Sequence, residues 1–116
     1  SSEDMNVAMF SKGQGRFPLK IKDIVALERV DRFRINVYTK TEKILNVNGV
    51  LSEIMTQLPD SFLRINRRCI INPKLINRFN PKSREVFLNS NDNLELSYIC
   101  SRENIKHINA LFLSQI

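Results

Sequence analysis

The sequence predicts a mainly β domain with two helices, a β-rich α+β fold, and three observations carry that prediction. Apolar residues recur with a period of two along most of the chain. Helical spacing takes over only near 49–58 and near 102–113. Helices do not alternate with strands as a doubly wound fold requires. At 116 residues, with 42% apolar and 26% charged content, the chain suits a single domain over 6–116 with a core of its own. Residues 1–5, in the opening "SSEDMN", read as a linker or the remnant of an upstream part, so the natural protein is expected to be longer.

The elements follow in order. "NVAMF" (6–10) and "RFPLKI" (16–21) flank "SKGQG", whose glycines suit a hairpin turn. "IVALERV" (24–30) and "FRINVYT" (33–39) form a second pair of strands. In the latter, Phe33, Ile35, Val37 and Thr39 share one face, and Arg34, Asn36 and Tyr38 the other. The tight connection at 31–32 exposes Arg32. "KILNV" (43–47) is a further strand. "NGVLSEIMTQLP" then sets Val50, Leu51, Ile54, Met55 and Leu58 at helical spacing, with Asn48 as the cap and Pro59 as the stop.

Strand signals return at 62–65, 69–71, 75–79, 85–89 and 94–99. "SNDN" (90–93) makes a turn, and thirteen asparagines against three glycines assign much of the turn work to Asn. The last helix has Ser101 as its N-cap and Glu103 at the positive end of its dipole. Ile105, Ile108, Leu111 and Phe112 form its buried stripe.

Catalytic signals are poor. "GQG" at 13–15 lacks the third glycine and following helix of a phosphate loop. His107, the single histidine, has no local nucleophile and reads as an ordinary helix residue. The carboxylates are scattered, and none forms a pair suited to acid–base work. Cys69 and Cys100 read as buried free thiols, which suits a reducing cytoplasm. No run approaches a membrane span, and no basic segment followed by an apolar block opens the chain. The expectation is a cytoplasmic protein with no enzymatic activity, no cofactor, no metal and no small-molecule substrate.

Charge is more informative. The net charge is +6, and residues 64–84 hold Arg64, Arg67, Arg68, Lys74, Arg78, Lys82 and Arg84 without one Asp or Glu. Such a block fits a polyanionic partner, nucleic acid first and membrane surface second; it equally fits a solvated basic face. Within it, "NRRC" interrupts an apolar run that resumes at "IINP". Three polar residues in a row cannot all face a core, so Asn66, Arg67 and Arg68 form a turn or bulge at a sheet edge or end. A guanidinium there reaches a phosphate as a fork, or a guanine edge bidentately. Asn66 either pairs with an adenine edge or a phosphate, or holds the turn. Asn72, before Pro73, reads as a holder of buried backbone groups.

"FLRINRRCIINPKLINRF" followed by "LELSYICSRENIKHI" resembles the signature of the LytTR family of bacterial DNA-binding domains. That family shows a Phe-x-Arg-x-His-Arg-Ser-x-x-Val-Asn pattern and, about thirty residues later, a Ser-Arg pair opening the last helix. Phe62, Arg64, Arg67, Ile71 and Asn72 match the first motif, and Ser101 with Arg102 the second. Asp23 and Ile24 stand in register with the family's opening Ile-x-x-x-Asp-Ile block. The likeness runs over residues 16–113. Asn66 replaces a frequent histidine and Arg68 a frequent serine; both keep hydrogen-bonding capacity, and the second adds a charge.

The resemblance implies an elongated antiparallel β fold that reads double-stranded DNA from loops, in successive major grooves. It places the binding face at the turn Asp31–Arg34, the turn Asn66–Arg68 and the loop into the last helix. Arg32 or Arg34, Arg67 and Arg102 are then candidates for base contacts, with Asn66 beside them. Arg68, Lys74, Lys82 and Lys106 are candidates for phosphates, and Arg64 is either structural or part of the face. Arg102 has its own argument, since free backbone N–H groups at a helix start attract phosphate. The resemblance further implies a transcription regulator, with an N-terminal receiver or sensory domain upstream and pairing on promoter direct repeats. A basic β module that binds RNA or an acidic protein surface is the alternative. It is disfavoured for RNA because most of the seven phenylalanines sit at core-periodic positions.

Overall fold

A computed structural model describes residues 6–91 and 94–113. β1 (Val7–Lys12) and β2 (Gly15–Lys20) pair from Val7↔Lys20 to Lys12↔Gly15, leaving a two-residue turn. Gly13 sits in that turn with φ 59°, a left-handed conformation that a side chain would strain. β3 (Ile24–Arg29), β4 (Arg34–Thr39) and β5 (Lys43–Asn48) follow as antiparallel neighbours. β6 (Leu63–Asn66) and β7 (Cys69–Ile71) form the next hairpin, and β7 pairs with β3. The sheet so built has seven strands in the order β2-β1-β5-β4-β3-β7-β6. β8 (Ile76–Asn80), β9 (Glu85–Asn89) and β10 (Glu95–Ile99) make a separate antiparallel sheet with β9 in the middle. The helices are α1 (Leu51–Met55) and α2 (Ile105–Leu113).

The core lies in two slabs, one on each face of the large sheet. Ile24, Leu27, Ile35, Val37 and Ile70 pack with Leu51, Ile54 and Leu58 of the α1 segment and with Phe62. Val25, Tyr38, Cys69 and Ile71 pack with Val86, Leu88, Leu96 and Ile108 of the second sheet and α2. Side chains of a strand point alternately to opposite faces, so β3, β4 and β7 feed both slabs. Both cysteines are free and buried; burial, and then the nearby Glu28 carboxylate, push the Cys69 thiol up to about 12, so it stays protonated.

Several expectations are corrected. Tyr38, on the face shared with Arg34 and Asn36, is buried with its hydroxyl donating to Glu28 Oε2 at 3.3 Å, because the second sheet covers that face. Phe33 was counted with the core face of β4; it precedes the strand and is 63% exposed. Asn48 does not cap α1. It ends β5 and its amide donates to the Gly13 carbonyl at 3.2 Å, while Val50 occupies the cap without a side-chain bond. α1 is shorter than the apolar spacing implied, because turns carry Leu58 into the core beyond Met55. The last helix begins later than Arg102: a 3-10 turn spans Arg102–Asn104, and the Ser101 hydroxyl accepts from the Asn104 amide at 2.9 Å instead of capping a backbone N–H. Part of the "SNDN" turn, Asp92 and Asn93, falls outside the described residues, as do residues 1–5 and 114–116.

Asn72 behaves as its position before Pro73 implied. It is buried, its Nδ2 donates to the Ile24 carbonyl at 3.2 Å, and its Oδ1 accepts from the Lys74 N–H at 3.2 Å. Replacing it with Ala orphans the buried Ile24 carbonyl and the part-buried Lys74 N–H. Asn72→Ala is expected to lower stability by about 2–3 kcal/mol, read as a lower urea midpoint with an unchanged slope.

Candidate nucleic-acid interface

Successive turns of an antiparallel sheet alternate between its ends, and this sorts the basic residues. The β3–β4 turn and the β6–β7 turn lie at one end, joined by the Arg29 N–H donating to the Arg68 carbonyl at 2.7 Å. The β1–β2 turn reaches the same end through Asn48, which bonds Gly13 and pairs with both Ser11 and Arg34. The second sheet brings two more segments there. Asn66 Nδ2 donates to the Ile99 carbonyl at 2.7 Å, and Ser101 N–H donates to the Ile65 carbonyl at 2.8 Å. Cys100 N–H donates to the Arg84 carbonyl at 2.8 Å, which draws in the β8–β9 turn. Asn104 completes the seam by donating to the Arg64 carbonyl at 3.4 Å.

Asn66 is the organiser of this seam. Besides reaching Ile99, its Oδ1 accepts from the Arg68 N–H at 2.7 Å, which closes the two-residue turn Arg67–Arg68. Its amide thus works for the fold, as the second of its two sequence readings held. Arg67 and Arg68 are exposed at the tip. Among the described residues the Arg67 side chain meets no hydrogen bond or ion pair, and the same is true of Arg102. Arg68 Nη2 makes only a long 3.5 Å approach to the Arg29 carbonyl.

Arg32 and Arg34 separate clearly. Arg34 is ion-paired to Asp31, with Nη2–Oδ2 at 2.7 Å and Nε–Oδ2 at 2.9 Å. Arg32 is exposed beside Phe33, its guanidinium carbon 5.3 Å from the ring centre. Lys82 stands exposed in the β8–β9 turn, where Asn80 Oδ1 accepts its backbone N–H at 3.0 Å. Lys106 is exposed on α2, just past the Arg102 turn. The first-turn amides near Arg102 are partly spent, since Asn104 N–H bonds the Ser101 carbonyl and Ile105 N–H the Arg102 carbonyl.

Lys74 is not brought to this group. It follows β7 in a 3-10 turn at the opposite end, where it lines a cleft with Lys22 and Lys40. Counting strands gives that result from sequence: one strand past the Arg67 turn reaches the far end, and one strand more returns Lys82 to the near one. The same count adds residues that sequence reasoning left out, Lys12 and Arg16 at the β1–β2 turn and Arg84 beside Lys82. Arg84 takes a left-handed φ of 61° and donates from Nη1 to the Cys100 carbonyl at 3.2 Å. Arg78, by contrast, lies over the Phe87 ring and pairs with Glu95 at 3.0 Å, so it is a sheet-surface residue.

Basic turns are gathered at one end of a two-sheet body, an arrangement that fits a polyanionic partner. The profile of the LytTr DNA-binding domain matches residues 14–113, and the chain belongs to that family of DNA-binding domains. Among solved structures, it is similar to the LytTr DNA-binding domain of a Bacillus cereus protein assigned as a methyl-accepting/DNA response regulator. The TM-score is 0.66 at 21% identity, over 91% of this chain and 95% of that one; at that identity the likeness speaks for the fold. No curated protein sequence matches the chain. Among the described residues no helix is long and apolar enough to cross a membrane, and no group of three His, Cys, Asp or Glu is placed to hold a metal.

Asp31 makes one part of this interface sensitive to acid. The Phe33 backbone N–H, donating to Oδ1 at 3.0 Å, and then the Arg34 guanidinium hold its carboxyl below the ordinary value of 3.8. A lowered folded-state pKa means that the turn favours the ionised form. Its ordering effect is therefore complete above 3.8 and fades as pH falls through the lower folded value. In an NMR titration the Phe33 amide is expected to hold its shift down to that window and then move, and in Asp31→Asn to lose this step.

Proposed function

We propose that this domain recognises particular sequences in double-stranded DNA, through turn-borne side chains that enter successive major grooves. In this reading it is the output domain of a bacterial transcriptional regulator in a two-component system, with a receiver or sensory domain preceding Asn6. The observation that carries it is the convergence of Arg67 and Arg102, exposed guanidiniums that meet no partner among the described residues, on a seam tied by Asn66 and Ser101. Unpaired arginines on rigid turns are suited to the bidentate guanine contact of the major groove.

The roles divide by geometry. Arg67, Arg102 and Arg32 read bases; Arg68, Lys82 and Lys106 hold phosphates and fix the register. Arg34 shapes the β3–β4 turn through Asp31, and Asn66 shapes the β6–β7 turn. Lys74 stays away from the duplex. Binding to promoter direct repeats as a pair of copies, in the cytoplasm where the DNA is, completes the reading.

Selection of bound duplexes from a random pool tests it directly. One enriched motif, present once or as a direct repeat, is the expected result; uniform retention of all sequences would sink the idea of base reading. On the enriched site Arg67→Ala and Arg102→Ala should each cost about 1–3 kcal/mol and relax preference at one position. Lys82→Ala should weaken cognate and random DNA alike and reduce the log–log salt slope by about 0.9.

A further inference from the structure

Phe33 is the most exposed large apolar side chain among the described residues, at 63%. A single apolar side chain on a surface is ordinary; the mounting of this one is not. Its N–H is held by Asp31 Oδ1 at 3.0 Å, and its carbonyl accepts from the Gly49 N–H at 2.8 Å. The turn is closed further by Val30 and Asp31 N–H groups, both donating to the Arg34 carbonyl, at 2.9 and 3.2 Å. The backbone that bears the ring is thus fixed on both sides, at the tip of the basic end and beside the turn that carries Arg67. Arg32 lies 5.3 Å from the ring centre, so a cation and an apolar face are presented together.

We infer that Phe33 is a specificity-determining residue that packs its ring against the 5-methyl group of a thymine in the major groove. The inference rests on the DNA-reading function proposed above. In the major groove thymine alone among the four bases carries a methyl, and an aromatic side chain is one of the few groups suited to meet it. The neighbouring arginines are suited to phosphate and guanine edges, which leaves the apolar mark of an A·T pair to the apolar residue. Arg32, whose guanidinium carbon lies 5.3 Å from the ring centre, is placed for a base edge next to that thymine.

The test uses the chain with the duplex enriched by selection, replacing its thymines one at a time by uracil, which deletes the methyl and keeps the pairing. At one position the wild-type protein is expected to lose about four-fold in affinity, the worth of burying one methyl, ~0.8 kcal/mol. Phe33→Ala should bind the thymine site about as weakly as the wild type binds the uracil site, and should be indifferent to the exchange. An unchanged urea midpoint for Phe33→Ala shows that the fold is intact, and Phe33→Leu should recover part of the discrimination. If no uracil position loses its penalty in Phe33→Ala, or if the variant weakens every duplex equally, the inference is overturned while base reading by Arg67 and Arg102 stands. If the wild-type protein enriches no sequence at all, the underlying reading falls and this one with it.

Discussion

Burial of β3, β4 and β7 on both faces of one sheet is the constraint from which the rest of the molecule follows. A strand buried on both sides needs a cover on each, and neither cover is large. α1 is a five-residue helix, and the opposite face is covered by three short strands and α2. Most of the charge borne by these strands sits at their ends, at Arg29 and Arg34, and the edge strand β6 with its turn sets Arg64, Arg67 and Arg68 beside them. Side-chain amides tie backbone groups together around this frame: Asn48, Asn66 and Asn104 do so at exposed positions, and Asn72 satisfies a buried carbonyl, that of Ile24.

The basic block acquires its character from what its arginines bond. Arg64 donates to the Arg67 carbonyl at 2.9 Å, Arg68 to Arg29 at 3.5 Å and Arg84 to Cys100 at 3.2 Å. A carbonyl fixes the direction of a guanidinium without cancelling its charge, whereas a carboxylate would do both. Arg34 and Arg78 show the contrast, for each meets an acid, Asp31 and Glu95. The end of the sheet consequently keeps a concentrated positive field while several of its side chains are already oriented, which lowers the entropy lost on meeting a phosphate or a base edge.

Much of this was legible in the sequence, because period-two patterning and turn chemistry are local. The hairpin at Gly13, the strand–turn–strand around Arg67–Arg68 and the structural role of Asn72 needed only neighbours along the chain. What escaped was set by distant packing. Tyr38 shares a face with Arg34 and Asn36 and is buried only because a second sheet is laid over it, and Asn48 reads as a cap until β1 arrives beside it. Phe33 fits the period of β4, but its N–H is captured by the Asp31 carboxylate in the turn, and the strand starts one residue later, at Arg34. Lys74 shares the charge block of Arg67 in sequence but sits one strand away, and strand direction separates what sequence distance joins.

The same logic explains how such a site tolerates change. Arg67, Arg102 and Phe33 hang from turns whose geometry is fixed by other residues, Asn66, Ser101 and Asp31 with Gly49. An exposed side chain on a pre-formed turn can be exchanged at little cost to stability, since it leaves no cavity and no orphaned partner. The replacement of the family's histidine by Asn66 falls on the supporting position, where the amide can donate to Ile99 and accept from Arg68 at once. The replacement of its serine by Arg68 falls on the tip and adds charge. The side chains that support the turns and those that stand exposed at their tips are thus different residues, so an exchange at a tip leaves the β scaffold that aims it intact.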